Sequence, residues 1–145
     1  MICNLTFNSI CVIMYITKEQ VMYMYIEIDF NSEEAFYIQL RNQIIIGIAT
    51  NQYQEGDTLP SVRQLANSVG INMHTVNKAY SVLKQEGFIR LDRRRGAVIA
   101  LDVDKLQAME ELKANLRVVL AKAACKGVEE EEVHQMVREI YKEMN

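Results

Sequence analysis

Residues 59–80 read LPSVRQLANSVGINMHTVNKAY, the pattern of two short helices joined by a tight turn. Ser61 is followed three residues later by Gln64, and this pair forms a capping box that starts the first helix. Gly70 adopts a left-handed backbone conformation at little cost and ends that helix. Asn72 then caps the second helix. Two helices this close together predict a helix-turn-helix.

The second helix has an apolar face and a polar face. The apolar residues recur at helical spacing: Val76, Ala79, Tyr80 and Leu83. The polar face carries side chains that can bond to bases or phosphates: His74, Thr75, Asn77 and Lys78. Such a face is typical of a recognition helix in the major groove of DNA. Two alternatives stay open, since Thr75 could instead help to cap the helix and His74 could be a solvated side chain. Met73 and Tyr80 are assigned to the core.

A basic hairpin follows. Residues 88–91 and 97–101 are two apolar, β-branched runs, and the turn between them holds Arg93, Arg94, Arg95 and Gly96. A basic loop at the tip of a two-stranded ribbon suits a phosphate backbone or a minor groove. The alternative is a solvated run of charges, and the adjacent helix-turn-helix favours contact with DNA.

The charge distribution points to the same segment. The chain has 145 residues and a net charge of −3, yet residues 56–100 carry seven Lys and Arg against three Asp and Glu. The net of +4 in this segment is the electrostatic footprint of a nucleic-acid interface. Three cysteines without metal-ligand spacing fit a reducing cytoplasm and predict no metal and no cofactor. Cys125 is assigned to the core. Since the sequence contains no catalytic motif and no apolar run of roughly 18 residues, it predicts neither an enzyme nor a membrane protein.

Amphipathic segments flank the basic region. A helix from about residue 32 to the loop at 51–57 has a stripe of Phe36, Leu40, Ile44 and Ile48, broadened by Tyr37, Ile45 and Ile46. Residues 102–145 predict two further helices, the second of which starts with four solvated glutamates. Such a helix pair cannot hide both of its apolar stripes, so it packs on the rest of the chain or on a second copy. Two-fold symmetric operators favour the second copy.

Residues 1–24 differ from the rest of the chain. They are apolar but interrupted, with neither a basic start nor a cleavage site for secretion. Lys18-Glu19 can be encoded by a ribosome-binding sequence, and Met22 and Met24 follow at a spacing suited to initiation. We therefore interpret residues 1–24 as a leader that is non-native, from an over-extended gene start. The alternative is a disordered or weakly packed arm.

Residues 33–101 resemble the winged helix-turn-helix of GntR-type bacterial transcription regulators. The resemblance depends on YIQL at 37–40, GDTLPSVRQLA at 56–66, TVNKAY at 75–80 and LKQEGFI at 83–89. The short two-helix tail resembles the YtrA-like subfamily, in which the tail dimerises and many members control transporter operons. The sequence departs from the family at Ala35, where proline is common, and at Arg94 and Ala97, where the wing usually has glycine and threonine. Met73-His74 stand where the family often has Ser-Arg.

The fold expected is mainly α with a small β-hairpin: a winged helix-turn-helix DNA-binding domain at 25–101 and a helical dimerisation tail at 102–145. The DNA-binding residues expected are Ser61, Arg63, Asn72, His74, Thr75, Asn77, Lys78, Arg93, Arg94, Arg95 and Gly96. The dimerisation residues expected are Leu106, Met109, Leu112, Leu116, Val119, Leu120, Val133, Val137, Ile140 and Tyr141.

The function expected is that of a homodimeric repressor of its own operon. It binds a pseudo-palindromic operator in double-stranded DNA. The sequence does not identify a small-molecule effector. One alternative is a winged-helix module that binds protein and not DNA, which the basic face disfavours. Another is a sensor domain in the tail, which is short for a ligand pocket.

Overall fold

The computed structural model describes residues 4–7, 10–16, 21–102 and 104–144. These residues form five strands and five helices in two compact units, residues 1–101 and residues 102–145. The strands are β1 (Asn4–Phe7), β2 (Ile10–Ile16), β3 (Val21–Glu27), β4 (Ile89–Asp92) and β5 (Gly96–Ile99). The helices are α1 (Phe36–Ala49), α2 (Val62–Val69), α3 (Met73–Gln85), α4 (Lys105–Ala124) and α5 (Glu130–Glu143).

The core of the first unit lies between α1, α2 and α3. Each of the three helices contributes fully buried side chains to it: Leu40, Ile44, Leu65, Val76 and Leu83. The mainly α fold with a small hairpin is confirmed. One prediction about α1 is wrong, because Ile46 is 50% exposed and does not broaden the core stripe. The helix also begins at Phe36, after Ala35, and is therefore shorter than the sequence pattern indicated.

Three antiparallel strands precede α1, in the order β1-β2-β3. They include most of the predicted leader, of which residues 1–3, 8–9 and 17–20 lie outside the described residues. The arm therefore contains β-structure, and its origin as an over-extended gene start stays a prediction. The last strand and the residue that follows it contribute to the core through Met24, Ile26 and Ile28, which alternate along the chain and are all buried.

Two glutamines of α1 hold the chain that leads into the helix. The carboxamide oxygen of Gln43 accepts from the backbone N–H of Glu27 at 2.7 Å, and that of Gln39 accepts from Asp29 at 2.9 Å. The Gln39 amide also donates to the backbone oxygens of Asp29 and Glu34. Residues 39 and 43 are one helical turn apart, so their side chains pair with alternate residues of an extended chain. This pairing fixes the start of α1 although Ala35 offers no capping side chain.

The hairpin of β4 and β5 gains a short third strand from the loop before α2. The Leu59 N–H donates to the Ala97 oxygen at 2.8 Å, and the Ile99 N–H donates to the Asp57 oxygen at 2.8 Å. Thr58 pairs with Val98 between these two bonds. The hairpin is therefore bonded to the segment that leads directly into α2.

The second unit consists of α4 and α5. Asp104 caps α4 by accepting from the Gln107 N–H at 3.0 Å, and Glu129 and Glu132 form a capping box at the start of α5. Neither helix buries a residue within this chain. The assignment of Cys125 to the core is wrong, because its side chain is exposed. Among the helices of the described residues, none has the length and apolar character needed to cross a bilayer.

Candidate nucleic-acid interface

Side-chain caps start both α2 and α3, and a glycine ends α2. The Gln64 N–H donates to the Ser61 hydroxyl oxygen at 3.3 Å, and the Ser61 N–H donates to the Gln64 carboxamide oxygen at 3.0 Å. Gly70 ends α2 with φ +77°, the left-handed conformation that favours glycine. The Asn72 side chain then accepts from the His74 N–H at 2.8 Å and starts α3. The structure thus has the predicted capping box and turn.

Tyr80 ties α3 to the start of α2. Its hydroxyl donates to the backbone oxygen of Pro60 at 2.8 Å in a buried position. The prediction that Tyr80 belongs to the core is confirmed, since it is 5% exposed. The same prediction for Met73 is wrong, because Met73 is 52% exposed in the first turn of α3. Its neighbours Asn72 and His74 are exposed as well, so the start of α3 faces solvent.

The outer face of α3 presents the predicted polar side chains. His74, Asn77 and Lys78 are exposed, and Thr75 is half-buried. The Thr75 backbone N–H donates to the Asn72 oxygen at 3.0 Å. These side chains leave donors and acceptors facing outward on one helix face, as a major-groove reader requires.

The wing tip is shaped by Asp92. One of its carboxylate oxygens accepts from the backbone N–H groups of Arg94 at 2.8 Å and Arg95 at 2.9 Å. These two donors hold the pKa of Asp92 below its usual value, the Arg94 N–H contributing most. Gly96 follows with φ +80°. The tip therefore closes with arginine where the family usually has its first glycine, because a side-chain acceptor organises the backbone.

The predicted basic residues fall into two groups. Arg63 of α2 and Arg93 and Arg94 of the wing tip have exposed side chains. Arg95 is also exposed, but its guanidinium donates to the Gly56 backbone oxygen at 2.6 Å and bridges the wing tip to the loop before α2. Arg95 therefore holds the wing in place, and only part of its donor set faces solvent.

Two residues at this surface, Arg90 and Leu91, were not predicted from the sequence. A groove of about 420 Å³ runs between α3 and the wing, bounded by Asn77 and Ser81 on one side and Leu91 on the other. Leu91 is 61% exposed at its rim, and Arg90 is exposed beside it. The alternation of β4 could have revealed Arg90, which points away from the buried Ile89. Leu91 gave no such signal, since it shares a strand face with Ile89.

The residues predicted for dimerisation form exposed stripes on α4 and α5. On α4 these are Leu106, Met109, Leu112, Leu116, Val119 and Leu120, all exposed. On α5, Val137, Ile140 and Tyr141 are exposed and Val133 is half-buried. The four glutamates at the start of α5 are exposed, as predicted, and so is His134 beside Glu130 and Glu131. In the part of the chain that the structure describes, no three side chains of His, Cys, Asp or Glu are grouped to hold a metal ion.

Comparisons with known proteins agree with this geometry. Residues 36–99 match the family described as bacterial regulatory proteins, gntR family. The chain is 35% identical over 118 residues to the HTH-type transcriptional repressor YtrA of Bacillus subtilis, covering 79% of this chain and 91% of that one. A solved structure of YtrA from Sulfolobus acidocaldarius is 37% identical, with a TM-score of 0.51 over 81% of this chain and 97% of that one. A transcriptional antiterminator from Listeria monocytogenes is 28% identical, with a TM-score of 0.73 over 81% and 90% of the two chains.

Proposed function

The chain belongs to the GntR family of bacterial regulatory proteins, and from this membership we propose that it is a homodimeric repressor of transcription. Family membership makes it a DNA-binding regulator of transcription and not an enzyme. The proposal adds the dimer, a pseudo-palindromic operator and repression of its own operon. The observation that carries it is that one chain holds both a recognition helix with an outward-facing polar side and two tail helices in which no residue is fully buried.

The first part of the proposal, DNA binding, assigns α3 and the wing to adjacent grooves. The polar face of α3 lies in the major groove, and the wing tip with Arg93 and Arg94 reaches the adjacent minor groove. Arg63, on the exposed side of α2, contacts a phosphate. Ser61 and Asn72, which cap α2 and α3, are both exposed, and backbone N–H groups at a helix N-terminus favour phosphate oxygens.

The dimer follows from the tail. Helices of 20 and 14 residues in which no residue is fully buried are marginal in water, because helices are stabilised chiefly by packing of an apolar face. The stripe from Leu106 to Leu120 is unusually apolar for a surface that stays in solvent. A second copy covers this stripe with an identical one, and the resulting two-fold axis presents two recognition helices to two half-sites.

Repression is the activity named for the 35% identical relative from Bacillus subtilis. The resemblance to its subfamily extends the proposal to a transporter operon. The tail favours dimerisation over a sensor role, because the groove along α4 between Met109 and Leu120 is lined by that helix alone. An enclosed ligand site needs walls from more than one element.

Fluorescence anisotropy with DNA from upstream of the gene tests the proposal directly. We expect tight binding with a steep salt dependence and a clear preference over scrambled DNA. Arg63→Ala and Arg94→Ala should each weaken binding and reduce the salt slope by about one. Lys126→Ala, an exposed tail substitution of equal charge, is the matched control and should leave both unchanged. Equal, weak binding to native and scrambled DNA would contradict operator recognition and favour a protein-binding module.

Sedimentation tests the dimer separately. Leu116→Glu places a charge in the middle of the α4 stripe and should produce monomers. Ala114→Glu adds the same charge about 200° around the helix and should leave the dimer intact. A wild-type monomer at micromolar concentration, or equal effects of the two variants, would refute the role assigned to the tail.

A further inference from the structure

The ammonium group of Lys78 sits over an aromatic ring of another helix. The Lys78 Nζ lies 3.9 Å from the centroid of the Tyr37 ring, well inside the range of a cation–π contact. Tyr37 is in the first turn of α1 and is half-buried, whereas Lys78 is on the exposed face of α3. The contact therefore connects the recognition helix to a helix that the sequence placed only in the core.

We propose that Tyr37 is a positioning residue for DNA binding, which holds the Lys78 ammonium where it meets a phosphate. The inference rests on the proposed function, since it assigns a supporting residue to that interface. It also extends the interface to the first turn of α1, beyond the helix-turn-helix and the wing.

The geometry of the two groups allows the ring and a phosphate to share one ammonium. A lysine ammonium has three N–H donors and no acceptor, and a ring below it occupies one side. The donors on the far side remain available to phosphate oxygens. The ring and the phosphate are both negative toward the cation, so the two contacts can coexist.

Holding Lys78 in place matters because lysine is flexible. Its side chain has a large rotamer entropy, part of which is lost when a phosphate fixes it. A contact that restricts the side chain before binding reduces that loss, which is the general advantage of preorganisation. Tyr37 therefore strengthens DNA binding without touching DNA.

The opposite outcome has a distinct signature. If the ring had to release Lys78 before a phosphate could bind, Tyr37 would compete with DNA, and its removal would tighten binding. The sign of the effect of Tyr37→Leu thus separates positioning from sequestration.

The experiment is a double-mutant cycle in operator binding, measured by anisotropy at several salt concentrations. Tyr37→Leu removes the ring face, Tyr37→Phe keeps it, and Lys78→Met removes the charge at nearly constant length. We expect Tyr37→Leu to weaken binding about two- to fivefold, the range of an exposed cation–π contact. Tyr37→Phe should stay near wild type, and Tyr37→Leu should have no further effect in the Lys78→Met background.

Each contrary result has its own meaning. Loss of packing around residue 37 would weaken binding equally in both backgrounds, and this would overturn the positioning role. Equal losses for Tyr37→Phe and Tyr37→Leu would assign the effect to the hydroxyl and also overturn it. Tighter operator binding by Tyr37→Leu, or unchanged operator binding by Lys78→Met, would also overturn the positioning role. Neither result would contradict operator binding by the wild type. Failure of the wild type to prefer its operator would instead refute the proposed function.

A measurement without DNA tests the contact itself. Protons held over an aromatic ring shift upfield in NMR spectra, so the methylene protons next to the Lys78 ammonium should be upfield in the free protein. The shift should persist in Tyr37→Phe and disappear in Tyr37→Leu. Its absence from the wild type would overturn the proposal independently of any operator.

Discussion

Replacing Gly47 by alanine should destabilise the protein, although alanine is the better helix former. Gly47 lies inside α1, where Gly→Ala normally stabilises by about 1 kcal/mol. Here a Cβ at residue 47 would lie 3.0 Å from Cζ of the Tyr53 ring, 2.6 Å from Cδ2 and closer still to Cε2. Tyr53 is 1% exposed, so its ring cannot turn away without disturbing the core.

The change in the free energy of unfolding follows from these two opposing effects, steric overlap and helix propensity. Overpacking a filled core costs about 1–3 kcal/mol, and three ring atoms in close overlap put this site at the upper end. After the gain in helix propensity, the free energy of unfolding should fall by about 1–2 kcal/mol. For a domain of this size, that corresponds to a drop in Tm of roughly 4–15 °C. Urea unfolding and calorimetry measure both values.

The ionisation of Tyr53 provides an independent readout. Burial raises the pKa of Tyr53 to about 12 from the usual 10. This raised pKa stabilises the fold fully below pH 10, and the contribution is lost as the pH rises toward 12. If Gly47→Ala displaces the ring toward solvent, the pKa of Tyr53 should move back toward 10, which NMR of ring-labelled tyrosine can follow.

Two further variants make this test specific. Ala49→Gly, at the exposed last position of the same helix, should lose at most about 1 kcal/mol through propensity alone. Tyr53→Leu should make Gly47→Ala harmless or favourable, because the overlapping ring atoms are gone. A higher Tm for Gly47→Ala in the wild-type background would refute the reasoning, since propensity would then outweigh the overlap.

Three other changes follow from buried or charged contacts. Tyr80→Phe leaves the backbone oxygen of Pro60 without its 2.8 Å partner and should cost about 1–2 kcal/mol in urea unfolding, with an unchanged m-value. Glu86→Gln weakens the Arg41–Glu86 pair, 2.5 Å apart and about one third exposed, and should cost at most about 1 kcal/mol, a loss that high salt should shrink. The pKa of Asp92 is lowered, so the stabilisation of the wing by its carboxylate is present above pH 3.8 and is lost as the pH falls through the lowered pKa. Hydrogen exchange of the Arg94 amide proton should become faster over that range of pH. Unchanged exchange at low pH would show that the wing does not depend on this carboxylate.

The local signals in the sequence predicted the two helices of the candidate interface closely. The capping box at Ser61 and the cap at Asn72 depend on residues two or three positions apart, so they can be read without knowing the fold. The apolar spacing of α3 placed Val76 and Leu83 in the core for the same reason. That spacing did not include Met73, whose separate assignment to the core was wrong because its side chain is 52% exposed in the first turn of α3.

Contacts between distant residues could not be predicted in this way. The bond from Arg95 to Gly56 spans 39 residues, and the contact between Tyr37 and Lys78 joins two helices. Both depend on tertiary packing, whereas the sequence showed only that the residues were basic or aromatic. The assignment of Arg95 to the interface consequently did not include its bond to the protein backbone.

These long-range contacts explain how a chain that departs from the family's wing sequence can still hold a defined wing. A carboxylate oxygen of Asp92 accepts from backbone N–H groups of the tip, and the Arg95 side chain bonds the tip to the loop before α2. That loop pairs with β5 and leads within two residues of Leu59 into the cap at Ser61. The Tyr80 hydroxyl of α3 donates to a backbone oxygen of the same segment, so the wing, α2 and α3 are all attached to one stretch of backbone. In the proposed function, DNA meets these three elements already set at fixed spacing, so little ordering has to occur on binding.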